Sequence, residues 1–190
     1  MKTDVLIIGA GSGGLSVAAG AVQMGADVTL LEGHKMGGDC LNYGCVPSKA
    51  LIKTGKTAHA QQHSAQYGVE NAAGVVDYAA AKDHVADVIS QIAPVDSVER
   101  FEGLGVRVIR EYGRFISDKE VQAGDTIITA RRIVVATGSS PLVPPIPGLK
   151  DVPYETNETL FDLREKPEHL IIIGGGPIGI EMAQAHVRMG

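Results

Sequence analysis

The apolar positions of this chain come in short unbroken runs. Val5-Leu6-Ile7-Ile8 ends at Gly9, Asp27-Val28-Thr29-Leu30-Leu31 is closed by Glu32, Ile133-Val134-Val135-Ala136 leads into Thr137-Gly138, and His169-Leu170-Ile171-Ile172-Ile173 ends at Gly174. Runs of this length without polar alternation predict strands buried on both faces, as in a parallel sheet between helices. Residues 15–24 form a small-residue helical pattern closed by Gly25. Helix is also expected from Lys49 toward Gln66, and again over 79–102, where Pro94 must kink or break it. Lys82, Asp87, Glu99 and Arg100 read as the exposed face of that second helix.

From Gly105 the period shortens. Segments 106–110, 113–116, 120–123, 126–130 and 133–136 follow one another closely, with turns at Ser117-Asp118-Lys119 and Ala123-Gly124-Asp125. They predict a small antiparallel meander attached to the parallel sheet, with 133–136 again fully buried. Pro141, Pro144, Pro145, Pro147 and Gly148 then mark a stiff boundary. The fold class expected is α/β: a Rossmann-type domain with a β-meander over 1–149, then the start of a second Rossmann-type unit over 150–190. A single strand and helix cannot bury a core, so residues past Lys150 are expected to be mobile or held by a neighbouring molecule.

Composition narrows the function classes. With 190 residues and 44% hydrophobic content, the chain can build one globular core or slightly more. A net charge of −5 without a basic cluster, aromatics at 4% and no Trp argue against nucleic-acid binding. Residues 5–22 are apolar enough to imitate a membrane span. Five spaced glycines and the Thr3-Asp4 start argue against both a span and a signal peptide. No membrane partner and a cytoplasmic location are expected, and there a lone cysteine pair suggests redox chemistry. His59 and His63 have the i, i+4 spacing of metal ligands but no third ligand nearby, so no metal site is expected.

The first candidate chemistry is Gly9-Ala10-Gly11-Ser12-Gly13-Gly14, a G-x-G-x-x-G turn between a strand and a helix. Gly9 makes the turn, Gly11 lets backbone approach a pyrophosphate and Gly14 permits close helix–strand packing. The helix N-terminus offers free N–H groups and its positive dipole end. Glu32 is placed to accept from a ribose hydroxyl. The pattern recurs at an offset of 165 residues: Gly174, Gly176 and Gly179, with Ile178 inside the turn, match Gly9, Gly11 and Gly14, while Met189-Gly190 match Met24-Gly25. Two dinucleotide sites are implied. The turns alone do not separate FAD from NAD.

The second candidate chemistry is Gly37-Gly38-Asp39-Cys40-Leu41-Asn42-Tyr43-Gly44-Cys45-Val46-Pro47-Ser48-Lys49, which holds the only two cysteines. Two are too few for a disulfide scaffold or a four-thiolate zinc site. In a regular helix, residues i and i+5 lie roughly 8–9 Å apart, whereas a disulfide needs about 4.4–6.8 Å between Cα atoms. Bridging therefore requires a departure from regular helix. Gly44 supplies the freedom, and Pro47 offers no N–H to the carbonyl of Tyr43. Lys49, one turn after Cys45, can favour a thiolate or an anionic cofactor.

This stretch resembles the active-site motif of the flavin-dependent pyridine nucleotide–disulfide oxidoreductases, a family that includes dihydrolipoamide dehydrogenase, mercuric reductase and glutathione reductase. The likeness extends along the chain, which covers less than half of a family member. It implies FAD at the first glycine turn and NAD or NADP at the second. The residue that would match Glu32 in the second unit lies past Gly190, so the two nicotinamide cofactors are not distinguished. By motif position, Cys45 is the thiol facing the flavin, Cys40 the thiol that meets substrate, Lys49 the cation near the flavin, and Glu181 its carboxylate partner. Gly38 and Lys49 join the cofactor contacts, Ala136-Thr137-Gly138 resembles the segment returning to the flavin, and Gly113 resembles a backbone contact to the adenine end. Asp39 stands where many members have Thr; it is expected to cap the following helix, not to touch phosphate. Tyr43 is bulkier than usual between the cysteines. The implied substrate is a small disulfide or a metal ion, and the implied assembly is a homodimer formed through a C-terminal domain outside these residues. The 190 residues alone are expected not to turn over. The rival reading is a non-enzymatic thiol-redox or soft-metal-binding protein.

Overall fold

The structure, a computed structural model, describes all 190 residues. They divide into two compact units: Met1–Asn42 with Gln91–Ser140, and Tyr43–Ser90 with Pro141–Gly190.

The first unit is built on a six-stranded sheet. Its strands are β1 (Lys2–Ile8), β2 (Val28–Leu31), β3 (Arg107–Ile109), β4 (Gly113–Phe115), β5 (Glu120–Ala123) and β6 (Thr126–Val135), in the order β3-β2-β1-β6-β5-β4. β1 pairs in parallel with β2 and β6, and β2 in parallel with β3. β5 pairs antiparallel with both β4 and β6. Helices α1 (Ser12–Gln23), α2 (Gly38–Asn42) and α5 (Val98–Gly103) belong to this unit. The period of two in a strand sends Ile7 to one face and Leu6 and Ile8 to the other. Ile7 packs with Leu15, Ala18, Val28, Leu30, Phe101 and Val106; Leu6 and Ile8 pack with Leu31, Val121, Ile128 and Ala130.

The parallel core and the meander are as expected, with three corrections. Segment 106–110 is not in the meander: β3 joins the parallel edge beside β2. Segments 126–130 and 133–136 are one ten-residue strand. Arg131 and Arg132 are exposed and interrupt nothing, because no Gly or Pro breaks the backbone ladder there. That strand is also not buried throughout, since Val135 is 62% exposed.

The second unit packs α3 (Cys45–Gln62), α4 (Tyr78–Ile92, of which Tyr78–Ser90 lie in this unit) and α6 (Pro177–Met189) around one cluster: Ala50, Leu51, Tyr78, Val85, Leu160, Met182, Ala185 and Met189. The run 169–173 is not a strand. A strand needs a hydrogen-bonded neighbour, and this run has none; Ile171 is 76% and Ile173 60% exposed. The expectation that nothing past Lys150 joins a core is overturned, since α6 gives three residues to this one. Gly55 admits the backbone of α6: a Cβ there would lie 2.8 Å from the carbonyl oxygen of Ala185. Pro94 breaks the second long helix, which ends at Ile92 and continues as a short 3₁₀ turn over Ala93–Asp96.

Lys82 corrects the exposed-face reading most sharply, being 2% exposed. Its ammonium donates to the Leu160 carbonyl at 2.8 Å and lies 4.9 Å from the Tyr78 ring centroid and 5.6 Å from that of Phe161. Burial pushes its pKa down from 10.5 to about 8, against the opposing pull of Asp162 and Glu155. A group that binds its proton less tightly when folded makes stability rise with pH between the folded and unfolded pKa values.

Two outcomes follow. Unfolding stability of the chain is expected to rise between about pH 8 and 10.5 by up to about 3 kcal/mol, and Lys82→Met is expected to flatten that slope; denaturant melts at several pH values measure both. In the first unit, a Cβ on Gly14 would land inside the Gly9 carbonyl oxygen, whereas one on Gly13 meets nothing. Gly14→Ala is expected to cost about 3 kcal/mol or more, and Gly13→Ala to be neutral or to stabilise by about 0.5 kcal/mol. Equal effects in thermal melts would contradict the packing described.

Candidate functional site

The two glycine turns have the same local shape. Gly9 has φ 105° and Gly174 φ 121°, both left-handed values that favour glycine. Gly11 caps α1 at φ −80°, ψ −175°, and Gly176 caps α6 at φ −76°, ψ 175°. The first helical bond is Leu15 N–H to Gly11 O at 2.9 Å in one turn and Ile180 N–H to Gly176 O at 3.1 Å in the other. A Cβ on Gly14 would strike Gly9 O and touch Ile7; one on Gly179 would strike Gly174 O and touch Ile172. The second turn keeps this shape although no strand precedes it, so the shape is written in the glycines themselves.

Around the first turn the backbone is crowded. Gly37 bridges Gly11, and a Cβ on Gly38 would lie 2.6 Å from the Gly11 Cα. Ala136 N–H donates to Ile8 O at 2.8 Å, which brings Ala136 and Thr137 against Gly9. The N-cap of α1 has no side chain to satisfy the helix's first N–H groups, and its first turn carries no acid. Such an end suits an anion. Glu32 leaves β2 with its carboxylate held at both oxygens: Oε2 accepts from Ala10 N–H and Oε1 from His34 N–H, each at 2.7 Å. Each oxygen keeps a lone pair for a further donor.

Two supports of this corner were not anticipated. Arg110 Nε donates to Glu32 O at 3.1 Å and its Nη2 to His34 O. The ring of Tyr112 lies on Gly33, where a Cβ would be 2.5 Å from it. Neither has a distinctive sequence signal. A Cβ on Gly113 of β4 would lie 2.9 Å from the Leu31 side chain and 3.0 Å from that of Val121, in the same unit.

The cysteine stretch is irregular helix, as expected. α2 ends at Asn42 and α3 begins at Cys45, with Gly44 (φ −121°, ψ −113°) as its N-cap. Pro47 falls in the first turn of α3, where a missing N–H costs nothing. Cys40 is half-buried on α2 and Cys45 exposed on α3. Asp39 lies inside the first turn of α2. Asn42 pins the α2 segment by donating to Met36 O at 3.0 Å and Gly38 O at 2.8 Å.

In the second unit, Lys49 sits one turn after Cys45 on α3. Its ammonium meets both oxygens of Glu181 on α6, at 2.7 and 2.8 Å. His59 and His63 stack at 4.0 Å between ring centroids, and His63 Nδ1 lies 2.8 Å from His59 O. No cluster of three or more His, Cys, Asp or Glu residues is placed to hold a metal. No helix is long and apolar enough to cross a membrane.

Comparison with known proteins decides the family. The pyridine nucleotide-disulphide oxidoreductase profile matches residues 3–190. The chain belongs to that family. Among its relatives are the mercuric reductase of Staphylococcus aureus, 35% identical over 98% of this chain and 34% of the relative, and that of Acidithiobacillus ferrooxidans, 36% identical over 100% and 36%. The chloroplastic dihydrolipoyl dehydrogenase 2 of Arabidopsis thaliana is 33% identical over 98% and 33%. The chain thus spans about a third of the length of these curated relatives. A solved structure of the HOCl-induced flavoprotein disulfide reductase RclA from Escherichia coli, in its Cu(II) complex, superposes with a TM-score of 0.83 at 28% identity, covering 98% of this chain and 40% of that one. The mixed sheet with its antiparallel meander is therefore a fold that this oxidoreductase family uses.

The Lys49–Glu181 pair is partly exposed on both sides. Exposed pairs contribute about 0–1 kcal/mol, so Glu181→Gln is expected to change unfolding stability by less than about 1 kcal/mol, and by less still in high salt. A larger loss in denaturant melts would show that the pair holds the second unit together.

Proposed function

We propose that this chain carries the flavin site and the redox-active cysteine pair of an enzyme that passes electrons from NAD(P)H, through FAD, to Cys40–Cys45 and on to a small disulfide or a mercuric ion. The observation that carries this reading is the placement of Lys49. It follows Cys45 by one helical turn and is held by Glu181 of a helix that opens with a second dinucleotide-type turn. In this reading residues 1–149 are the FAD-binding domain and 150–190 the beginning of the NAD(P)-binding domain.

The residues fit the cofactor. Gly11, Ser12, Gly13 and Gly14 stand at the open N-terminus of α1 after the Gly9 turn, and the missing side chain of Gly38 lets its backbone lie against Gly11 beside that end. Glu32 retains acceptor capacity for ribose hydroxyls. Gly113, Ala136, Thr137 and Gly138 contribute backbone around the same unit. Gly174, Gly176, Ile178 and Gly179 offer the equivalent turn for the nicotinamide dinucleotide. When bound, the flavin supplies a two-electron relay between nicotinamide and disulfide.

The chain's own residues do the rest. Reducing the Cys40–Cys45 disulfide takes two electrons and two protons and yields two thiols. Cys40, as thiolate, then attacks a sulfur of the substrate disulfide and releases the first substrate thiol with a proton. Cys45 attacks the mixed disulfide, releases the second thiol, and restores the Cys40–Cys45 bond. With a mercuric ion the same two thiolates are soft ligands, and two electrons convert the ion to the metal. Lys49 supplies the cation beside the flavin, and the Glu181 carboxylate keeps it in one orientation. A homodimer and a C-terminal domain that supplies proton transfer complete the proposal.

The test uses the chain extended to the length of its relatives. NADH or NADPH oxidation with a disulfide or mercuric acceptor is expected to proceed in that protein and to fall at least about 10³-fold in Cys40→Ser and in Cys45→Ser, while the 190-residue chain shows no steady turnover. Stoichiometric uptake of soft metal by flavin-free protein, with no oxidation of either nucleotide, would favour the binding-protein reading instead.

A further inference from the structure

Helix α6 carries two features of the proposed site. It opens with the second glycine turn, and one residue before its first buried position it presents Glu181 to Lys49. Most of what holds it in its unit is apolar: Met182, Ala185 and Met189 in the shared cluster, and the Ala185 carbonyl beside Gly55. Contacts of that kind are non-directional and tolerate rotation about the helix axis. Rotation matters, because a carboxylate carried about 6 Å from the axis moves about 2 Å for a turn of 20°. That displacement is enough to open a 2.7 Å ion pair.

One part-buried contact is directional. Tyr78, 5% exposed at the start of α4, has its hydroxyl 3.1 Å from Nε2 of His186. The other ring nitrogen of His186 lies 2.8 Å from the carbonyl of Met182, one turn back on α6. A carbonyl only accepts, so Nδ1 carries the proton and Nε2 is the acceptor for the tyrosine hydroxyl. The tautomer is thereby fixed by α6 itself. Tyr78 in turn is braced from its own helix, where Lys82, one turn on, points its ammonium at the ring from 4.9 Å and anchors on Leu160 O.

We propose that Tyr78 and His186 are positioning residues: through their hydrogen bond they fix the rotation of α6 and so hold Glu181 on Lys49. This rests on the reading in which Lys49 works as a paired cation. Neither residue touches the reacting groups.

The experiment follows how readily Lys49 is acylated. The 190-residue chain is treated briefly with acetic anhydride, and modification at Lys49 is quantified by mass spectrometry in wild type, Glu181→Gln, Tyr78→Phe, His186→Phe, His186→Gln and the double variant Tyr78→Phe/Glu181→Gln. Phe keeps the ring that Lys82 faces, and Gln at 186 keeps an acceptor for the hydroxyl. Glu181→Gln is expected to speed acylation about two-fold, the factor that an exposed pair supports. Tyr78→Phe and His186→Phe should reproduce at least half of that gain, His186→Gln should restore the wild-type rate, and the double variant should match Glu181→Gln alone. Circular dichroism melts check that each variant remains folded. Acceleration in Glu181→Gln with none in Tyr78→Phe or His186→Phe would overturn the positioning role. No acceleration in Glu181→Gln would overturn the pair itself, and the proposal with it. No flavin or nucleotide is present in this assay, so its failure is distinct from failure of the electron-transfer reading.

Discussion

The contact on which the first unit depends is the approach of Gly14 to the carbonyl of Gly9. It lets α1 leave the end of β1 at once and pack over it through Leu15 and Ala18. It also leaves the N–H groups of α1 pointing into a space walled by glycine backbone. Any side chain at position 14 would strike the Gly9 carbonyl and push the helix away from its strand. Close packing of the helix on its strand thus comes from one steric fact, and Gly174 and Gly179 repeat it.

The second unit follows a different logic. Its helices meet through a mostly aliphatic cluster with a close approach at Gly55, contacts that are not directional. Specificity comes from polar groups placed among them: the ammonium of Lys82 on a carbonyl between two aromatic rings, and the Tyr78–His186 hydrogen bond. Burying an ammonium costs stability, as its lowered pKa records. The return is a unit in which α6 has a preferred rotation, which matters when a carboxylate on that helix must meet one lysine.

Where each feature could be read in the sequence follows from how local its cause is. The glycine turns, the helix interruption before Cys45 and the meander turns arise from Gly, Pro and short polar residues acting within a few positions, and all were legible. β3 was misassigned because a three-residue strand carries no mark of its partner's direction. Segment 169–173 was misread because apolar composition does not supply a neighbour to pair with. Lys82 was taken for a surface charge although Tyr78, Ala81, Lys82 and Val85 stand at the spacing of a single buried helix face. That stripe was the available signal, and the lysine in the middle of it was the residue to question. The corner formed by Arg110, Tyr112 and Gly33 depends on residues about 80 positions apart, and nothing local announces it.

The central claim is that the cradle at Gly9–Gly14 and Gly38 receives a dinucleotide while Glu32 receives its ribose. Backbone amide NMR of the labelled 190-residue chain during titration with FAD tests it directly. The account predicts the largest shifts at Gly11, Ser12, Gly13, Gly14, Glu32 and Gly38, saturating together with one affinity, and much smaller shifts at the same amides with riboflavin, which lacks the diphosphate and adenosine. Shifts confined to other residues, or equal responses to FAD and riboflavin, would contradict it.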